Sequence, residues 1–225
     1  MHHLASVDVK PVLEIWFEFG SNYSYLSVMR IEDLTSKSDV PIAWKPFLLG
    51  PIFRQFGWES SPFVLQPQKG DYMWIDMGRQ AKKYGLDFKK PTVFPRLATL
   101  PMRVAILGAA QPWIGQFCRA VMRQNWVDDV DINALAMVRT ALRGLVPDPD
   151  TIILQAQHES TKRLLRDQTE EAARRGIFGG PTFFVDDQMF WGNDRLDDAV
   201  TLARELASRP HAASPLQCGD DTVSM

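Results

Sequence analysis

Strand patterning is confined to the two ends of this sequence, and that placement constrains the fold more than any other feature. In residues 13–19, LEIWFEF, Leu13, Ile15, Phe17 and Phe19 fall on one face and Glu14 and Glu18 on the other, the period of two that a strand imposes. Residues 41–47, PIAWKPF, read as a second strand carrying Ile42 and Trp44. Residues 182–185, TFFV, read as a third, joined by a tight Asp186-Asp187 turn to a fourth at 189–191. The stretch between, 68–175, is patterned as helices. Neither end can bury a sheet alone, so the economical solution is a single α/β sheet built from both ends, βαβ plus ββα, with a large inserted all-helical domain on one side. The expected division is 11–60 with 176–208 for the sheet domain and 61–175 for the insertion, leaving 1–10 and 209–225 as flexible termini.

Within the insertion, Tyr72, Ile75, Met77 and Ala81 recur at helical intervals in 69–84, and Gly85 stands where a C-terminal glycine stands. Further helices are expected at 101–110, 113–125, 132–142 and 148–157, the last with Pro149 in its first turn. In 160–175 the pairs Glu159/Arg163, Glu170/Arg174 and Glu171/Arg175 have the favourable i,i+4 order of a solvated helix face. A final helix is expected at 196–208. Residues 48–67 hold three prolines, two glycines and Phe53, Phe56, Trp58 and Phe63, and read as a long loop: either a linker packed by its own aromatics or a wall of the active-site cleft.

The first strand turns at once into a helix. Gly20 frees the turn, Ser21 stands at the N-cap position, and Tyr25, Leu26, Val28 and Met29 begin an apolar stripe. Unpaired N–H groups at such a corner stabilise an anion, a thiolate among them, although residues 13–29 alone are equally those of an ordinary capped helix. Near the other end, Gly179-Gly180-Pro181 precedes a strand; proline suits a strand's first residue, and an X-Pro bond is where a cis peptide can occur. Strand, Ser-x-x-Ser, helix and a distant Gly-Pro-Thr-Phe before a strand together make the layout of a thioredoxin-type active site.

The segments FGSNYSYL (19–26), PFLLGPIF (46–53), QKGDYM (68–73), FGGPTFFV (178–185) and FWGNDRL (190–196) resemble, in order and over residues 12–207, a DsbA-like group of glutathione-dependent proteins. That group contains the 2-hydroxychromene-2-carboxylate isomerases and the kappa-class glutathione transferases. The resemblance implies a thioredoxin-like fold with an inserted helical domain, glutathione as cofactor, a small aromatic substrate and a homodimer, while the lack of a signal-peptide core and of a membrane-length apolar run makes a cytoplasmic enzyme the default expectation. It implies that Ser21 holds the glutathione sulfur and that Gly180, before Pro181, pairs its backbone with the tripeptide as an added strand would. Asn193 and Asp194, after Trp191 and Gly192, stand between a strand and a helix, where the Asp194 carboxylate can meet the ligand's ammonium group or serve as a plain N-cap, and Lys69, at a helix start that disfavours a cation, has reason to reach the glycine carboxylate. Phe53, Tyr72, Asp76 and Leu97 become candidates for the substrate cleft. Three departures stand out: Asn22 replaces a proline common after the first serine, Gly180 replaces a usually aliphatic residue, and Leu97 stands where isomerases carry an asparagine shortly after a Phe-Pro pair.

Composition narrows the alternatives. The chain of 225 residues, 45% hydrophobic and 23% charged, suits a globular protein, and a net charge of −2 gives no electrostatic case for nucleic acid. No apolar run reaches membrane-spanning length, and the first residues lack the apolar centre of a signal peptide. His2, His3, His158 and His211 show no metal-ligand spacing. Cys118 lies in an apolar helical run and Cys218 in a polar tail, neither at the corner, so protein disulfide exchange is excluded there and any thiol must be borrowed. Lowering a thiol pKa of about 8.5 by roughly two units takes about 2.7 kcal/mol. A hydrogen bond to the charged form contributes about 1.5–3 kcal/mol and a helix N-terminus about 0.3–1. Three readings follow: a glutathione-dependent isomerase, a kappa-type transferase that conjugates a hydrophobic electrophile, and a non-catalytic thiol- or peptide-binding module.

Overall fold

The computed structural model describes residues 10–38 and 40–208. His2, His3, His211, Cys218 and the expected flexible termini, Lys10 apart, lie outside the described residues. Strand β1 (Leu13–Phe17) leads into helix α1 (Asn22–Val28), then α2 (Ile31–Ser36) and β2 (Ile42–Pro46). The helices α3 (Leu49–Gln55), α4 (Pro62–Leu65), α5 (Pro67–Tyr84), α6 (Thr99–Gly108), α7 (Ile114–Trp126), α8 (Leu135–Leu142), α9 (Pro149–Gln157) and α10 (Glu159–Arg174) intervene before β3 (Thr182–Val185) and β4 (Gln188–Trp191). A 3-10 turn, Asn193–Arg195, precedes α11 (Leu196–Ser208).

The sheet order is β2-β1-β3-β4, with β1 and β2 parallel and the other two pairs antiparallel. This is the thioredoxin arrangement, and it joins the two ends of the chain as the strand pattern requires: Ile15 sits opposite both Trp44 and Phe183. The parity of β1 sorts its side chains. Leu13, Ile15 and Phe17 join Phe183 and Val185 in the main core, shared with helices α1 and α5 to α11. Trp16 and Phe184, on the opposite face, pack with Phe47, Leu49, Ile52, Ala172 and Ile177 from α3 and the end of α10. Both faces of the sheet are therefore covered, and the face that carries Glu14 and Glu18 is not a solvent face.

Three local expectations are corrected. Residues 48–67 are not one loop: Pro51 fits the first turn of α3, and Ser61 caps α4 by accepting from the Phe63 N–H while Pro62 takes the first helical position. The buried side of α5 is Gly70, Met73, Met77 and Ala81, so the apolar stripe is offset from Tyr72 and Ile75, which are 59% and 55% exposed. The expected i,i+4 pairs on α10 are replaced by Glu159 with Lys162 and Arg166, and Glu171 with Arg174. Arg175 leaves the helix to pair with Glu14 at 2.5 Å and to lie 3.6 Å over the Phe184 ring, clamping the end of α10 to the sheet. No described helix is long and apolar enough to cross a membrane.

Candidate active site

A cleft of about 1100 Å³ opens where β1, the start of α3, α5, the loop before α6 and the β3–β4 end meet. Its floor is the corner after β1. Ser21 is 6% exposed and has the extended backbone of an N-cap; its Oγ accepts from Ser24 N (3.2 Å) and donates to the carbonyl of Gly180 (2.8 Å), 159 positions away. The Gly180-Pro181 bond is cis. The Pro181 carbonyl accepts from Gly192 N at 3.0 Å, which ties the far end of β4 to the same floor. Gly192 has φ +106, a backbone conformation that side-chain-bearing residues rarely adopt, so glycine is favoured there.

The corner is held from behind by residues that carry no motif. Both Asn125 Nδ2 (2.9 Å) and Trp126 Nε1 (3.1 Å), on α7, donate to the Phe19 carbonyl. Arg96 donates to Asn125 Oδ1 (2.9 Å) and pairs with Asp129 (2.7 Å), with both side chains buried. The Arg96 hydrogen bond, followed by the Thr92 N–H, holds the Asp129 carboxyl well below the usual carboxylate range. Residues 94–98 are thereby fixed as one wall of the cleft, presenting Leu97, which is 64% exposed.

The opposite wall is aromatic. Phe53, Trp58 and Phe63 line it, and the Trp58 ring lies 5.8 Å from both Phe53 and Phe56. At the rim, Lys69 is exposed, with its Nζ 5.9 Å from the Phe63 ring, and makes no ion pair among the described residues. Asp76 is half-buried and accepts from Tyr23 Oη (2.7 Å) and Gln80 Nε2 (3.3 Å). Burial, then the Asp76 hydrogen bond, raises the Tyr23 hydroxyl above its ordinary pKa, so Tyr23 stays a protonated donor.

Of the residues singled out in the sequence, Ser21, Phe53, Lys69, Asp76, Leu97, Gly180, Pro181, Trp191, Gly192, Asn193 and Asp194 all line this cleft, and Tyr72 does not. Asn193 and Asp194 already have protein partners. The Asn193 side chain is 3% exposed and already committed, accepting from Ser27 Oγ and Arg30 Nη1 and donating to Tyr84 Oη, so it is a lock between α1 and the end of α5. Asp194 caps no helix; its side chain is 70% exposed and paired with Arg195. Trp191 packs on Phe178 at 4.7 Å, and a Cβ on Gly179 would come within 2.6 Å of its indole Nε1.

Among the lining residues that escaped the sequence reading, Glu18 stands out. Glu18, the last outward position of the β1 alternation, turns its carboxyl into the cleft, where Oε2 accepts from Leu49 N at 3.2 Å. Burial, partly offset by that N–H, pushes its pKa up to about 7. Only the charge on an apolar face hinted at it. Cys118 is fully buried, and burial pushes its thiol well above the ordinary range, so it offers no nucleophile. No cluster of three or more His, Cys, Asp or Glu side chains placed for a metal occurs among the described residues.

Comparison with known proteins places this geometry. Over 187 residues the chain is 29% identical to a 2-hydroxychromene-2-carboxylate isomerase of Sphingobium xenophagum, covering 82% of this chain and 94% of the relative. Over 215 residues it is 25% identical to glutathione S-transferase kappa 2 of Caenorhabditis elegans, covering 89% and 95%. A solved 2-hydroxychromene-2-carboxylate isomerase structure superposes with a TM-score of 0.79 at 22% identity over 87% of this chain and 95% of that one, a likeness of fold. The family model of the DSBA-like thioredoxin domain matches residues 12–204, and the chain therefore belongs to that family.

Proposed function

We propose that the cleft binds glutathione and uses its sulfur to isomerise a conjugated double bond in a small aromatic acid, interconverting a 2-hydroxychromene-2-carboxylate-type ring and its open trans-o-hydroxybenzylidenepyruvate. The observation that carries the reading is the Ser21 hydroxyl lying 2.8 Å from the Gly180 carbonyl at the floor of a large, partly aromatic cleft, with serine at both positions where a disulfide enzyme carries thiols. The isomerase and kappa-transferase relatives support it.

The donor set fits the tripeptide. Ser21 supplies a hydroxyl for the sulfur, and Gly180 a backbone edge for the cysteinyl amide. Lys69, without an ion-pair partner among the described residues, supplies a cation for the glycine carboxylate, and exposed Asp194 an anion for the γ-glutamyl ammonium. Bound glutathione supplies the nucleophile that adds to the conjugated bond, frees it to rotate and leaves again unconsumed. Ser21 acts by orientation: its proton, directed at the Gly180 carbonyl in the free protein, turns to the sulfur while its lone pair keeps the Ser24 N–H. The aromatic wall excludes water from the apolar substrate. Calorimetry with reduced glutathione is the test, with binding expected for the native chain and at least tenfold weaker binding or lost turnover for Ser21→Ala; no heat with the native chain ends the reading.

A second reading is favoured by Leu97, an exposed aliphatic residue in the cleft at the place of the isomerases' asparagine: a kappa-type transferase conjugating a hydrophobic electrophile. Mass spectrometry separates the two, since a stable thioether product belongs to the transferase alone.

A further inference from the structure

Nothing so far disposes of the proton that a bound thiol must lose. Helix α1 has seven residues, so its dipole contributes little, and the donor it would offer, Ser24 N, is already taken by Ser21 Oγ. The Ser21 proton, moreover, must leave the Gly180 carbonyl before it can serve a sulfur. The corner stabilises a thiolate less than its sequence suggests, and a proton acceptor in the cleft is needed.

The geometry points to Glu18 as that acceptor: its carboxyl takes the thiol proton and returns it when the sulfur leaves. The inference rests on the glutathione reading above. Glu18 lies on the same corner as Ser21, whose N–H donates to the Glu18 carbonyl at 3.1 Å, and it lines the same cleft. Its Oε2 is fixed by Leu49 N, and Oε1 has no protein partner among the described residues. No ion pair among the described residues neutralises it. From α3 and the loop after it, Arg54 and Glu59 face the cleft, and from α5, Lys69 and Asp76. Beyond these, Arg96 is committed to Asp129, and Arg195 pairs at the surface with both Asp194 and Asp198. A half-buried carboxyl at the edge of the cleft, its pKa raised to about 7 by burial, exchanges a proton with a thiol at little cost. The step balances: the S–H bond breaks with its electron pair left on sulfur, Glu18 Oε1 gains the proton, and the same proton leaves it when the sulfur is expelled. Nothing is oxidised or reduced.

The test uses the full chain and reduced glutathione. With glutamate carboxyl carbons labelled, NMR of the free protein is expected to show one carboxyl titrating near pH 7, absent in Glu18→Gln, and moving to higher pH when glutathione binds. Glu18→Gln is expected to keep glutathione affinity within about threefold by calorimetry while turnover falls about 10²- to 10⁴-fold. Glu18→Asp is expected to recover part of the loss. A Glu18 signal unmoved by glutathione, or native turnover in Glu18→Gln with affinity intact, overturns this inference and leaves the glutathione reading standing. Absence of glutathione binding to the native chain overturns both.

Discussion

The floor and the aromatic wall of one cleft are held by different forces. At the floor, directional hydrogen bonds over-determine the corner: two side-chain donors converge on the Phe19 carbonyl, Ser21 spans to Gly180, and Asn193 spends both ends of its amide. At the wall, Phe53 and Phe56 each meet the Trp58 ring and Phe63 meets Tyr23, Phe56 and Trp58 are 51% and 38% exposed, and short helices α3 and α4 are separated by irregular backbone. Ring contacts are less strictly directional than hydrogen bonds, so such a wall can repack around substrates of different outline, whereas a floor fixed by hydrogen bonds keeps one geometry. Under the proposed function, the contrast assigns the sulfur chemistry to the floor and substrate choice to the wall.

The largest break in that contrast is expected from Ser21→Ala. Glutathione-dependent turnover should fall about 10²- to 10³-fold, as when one preorganised donor to a developing charge is removed. Loss of the cap should cost about 1 kcal/mol by denaturant titration. Next is Asn125→Ala, which touches no ligand. It takes one of two donors from the Phe19 carbonyl and one partner from buried Arg96, so a loss of about 1–3 kcal/mol is expected by urea unfolding.

Trp58→Ala should do the reverse of both. Stability should stay within about 0.5 kcal/mol and glutathione affinity should hold, while KM for the aromatic substrate rises about tenfold in steady-state kinetics. A Trp58→Ala that lost glutathione binding would dissolve the distinction between floor and wall.

A further expected effect concerns pH. Burial raises the Glu18 pKa in the folded state to about 7, so the folded chain holds a proton that the unfolded chain has released. That group therefore favours folding at low pH, and its contribution is lost as pH rises from the ordinary carboxylate range through 7. Glu18→Gln should be more stable than the native chain at pH 8 in thermal melts, with the difference vanishing below about pH 5.

Much of this architecture was legible because it rests on local signals. The alternation at Leu13, Ile15 and Phe17, the cap at Ser21, the left-handed Gly85 and the Asp186-Asp187 turn each state their own geometry. Helix α3 was hidden by Gly50 and Pro51, which read as breakers although the first turn of a helix tolerates proline. Tyr72 was misplaced because an apolar pair at 72 and 75 mimicked a stripe that the packed helix sets at Met73, Met77 and Ala81. Glu18, Arg96 and Asn125 were invisible as site residues for a different reason. Their roles depend on α3 and α7 reaching the corner from distant sequence, and no spacing encodes that approach.

A crystal structure of the chain with reduced glutathione tests the central claim most directly. The expected result is the sulfur within hydrogen-bonding distance of Ser21 Oγ, with the cysteinyl amide paired to the Gly180 backbone. A tripeptide seated away from both residues, at saturating concentration, would contradict it.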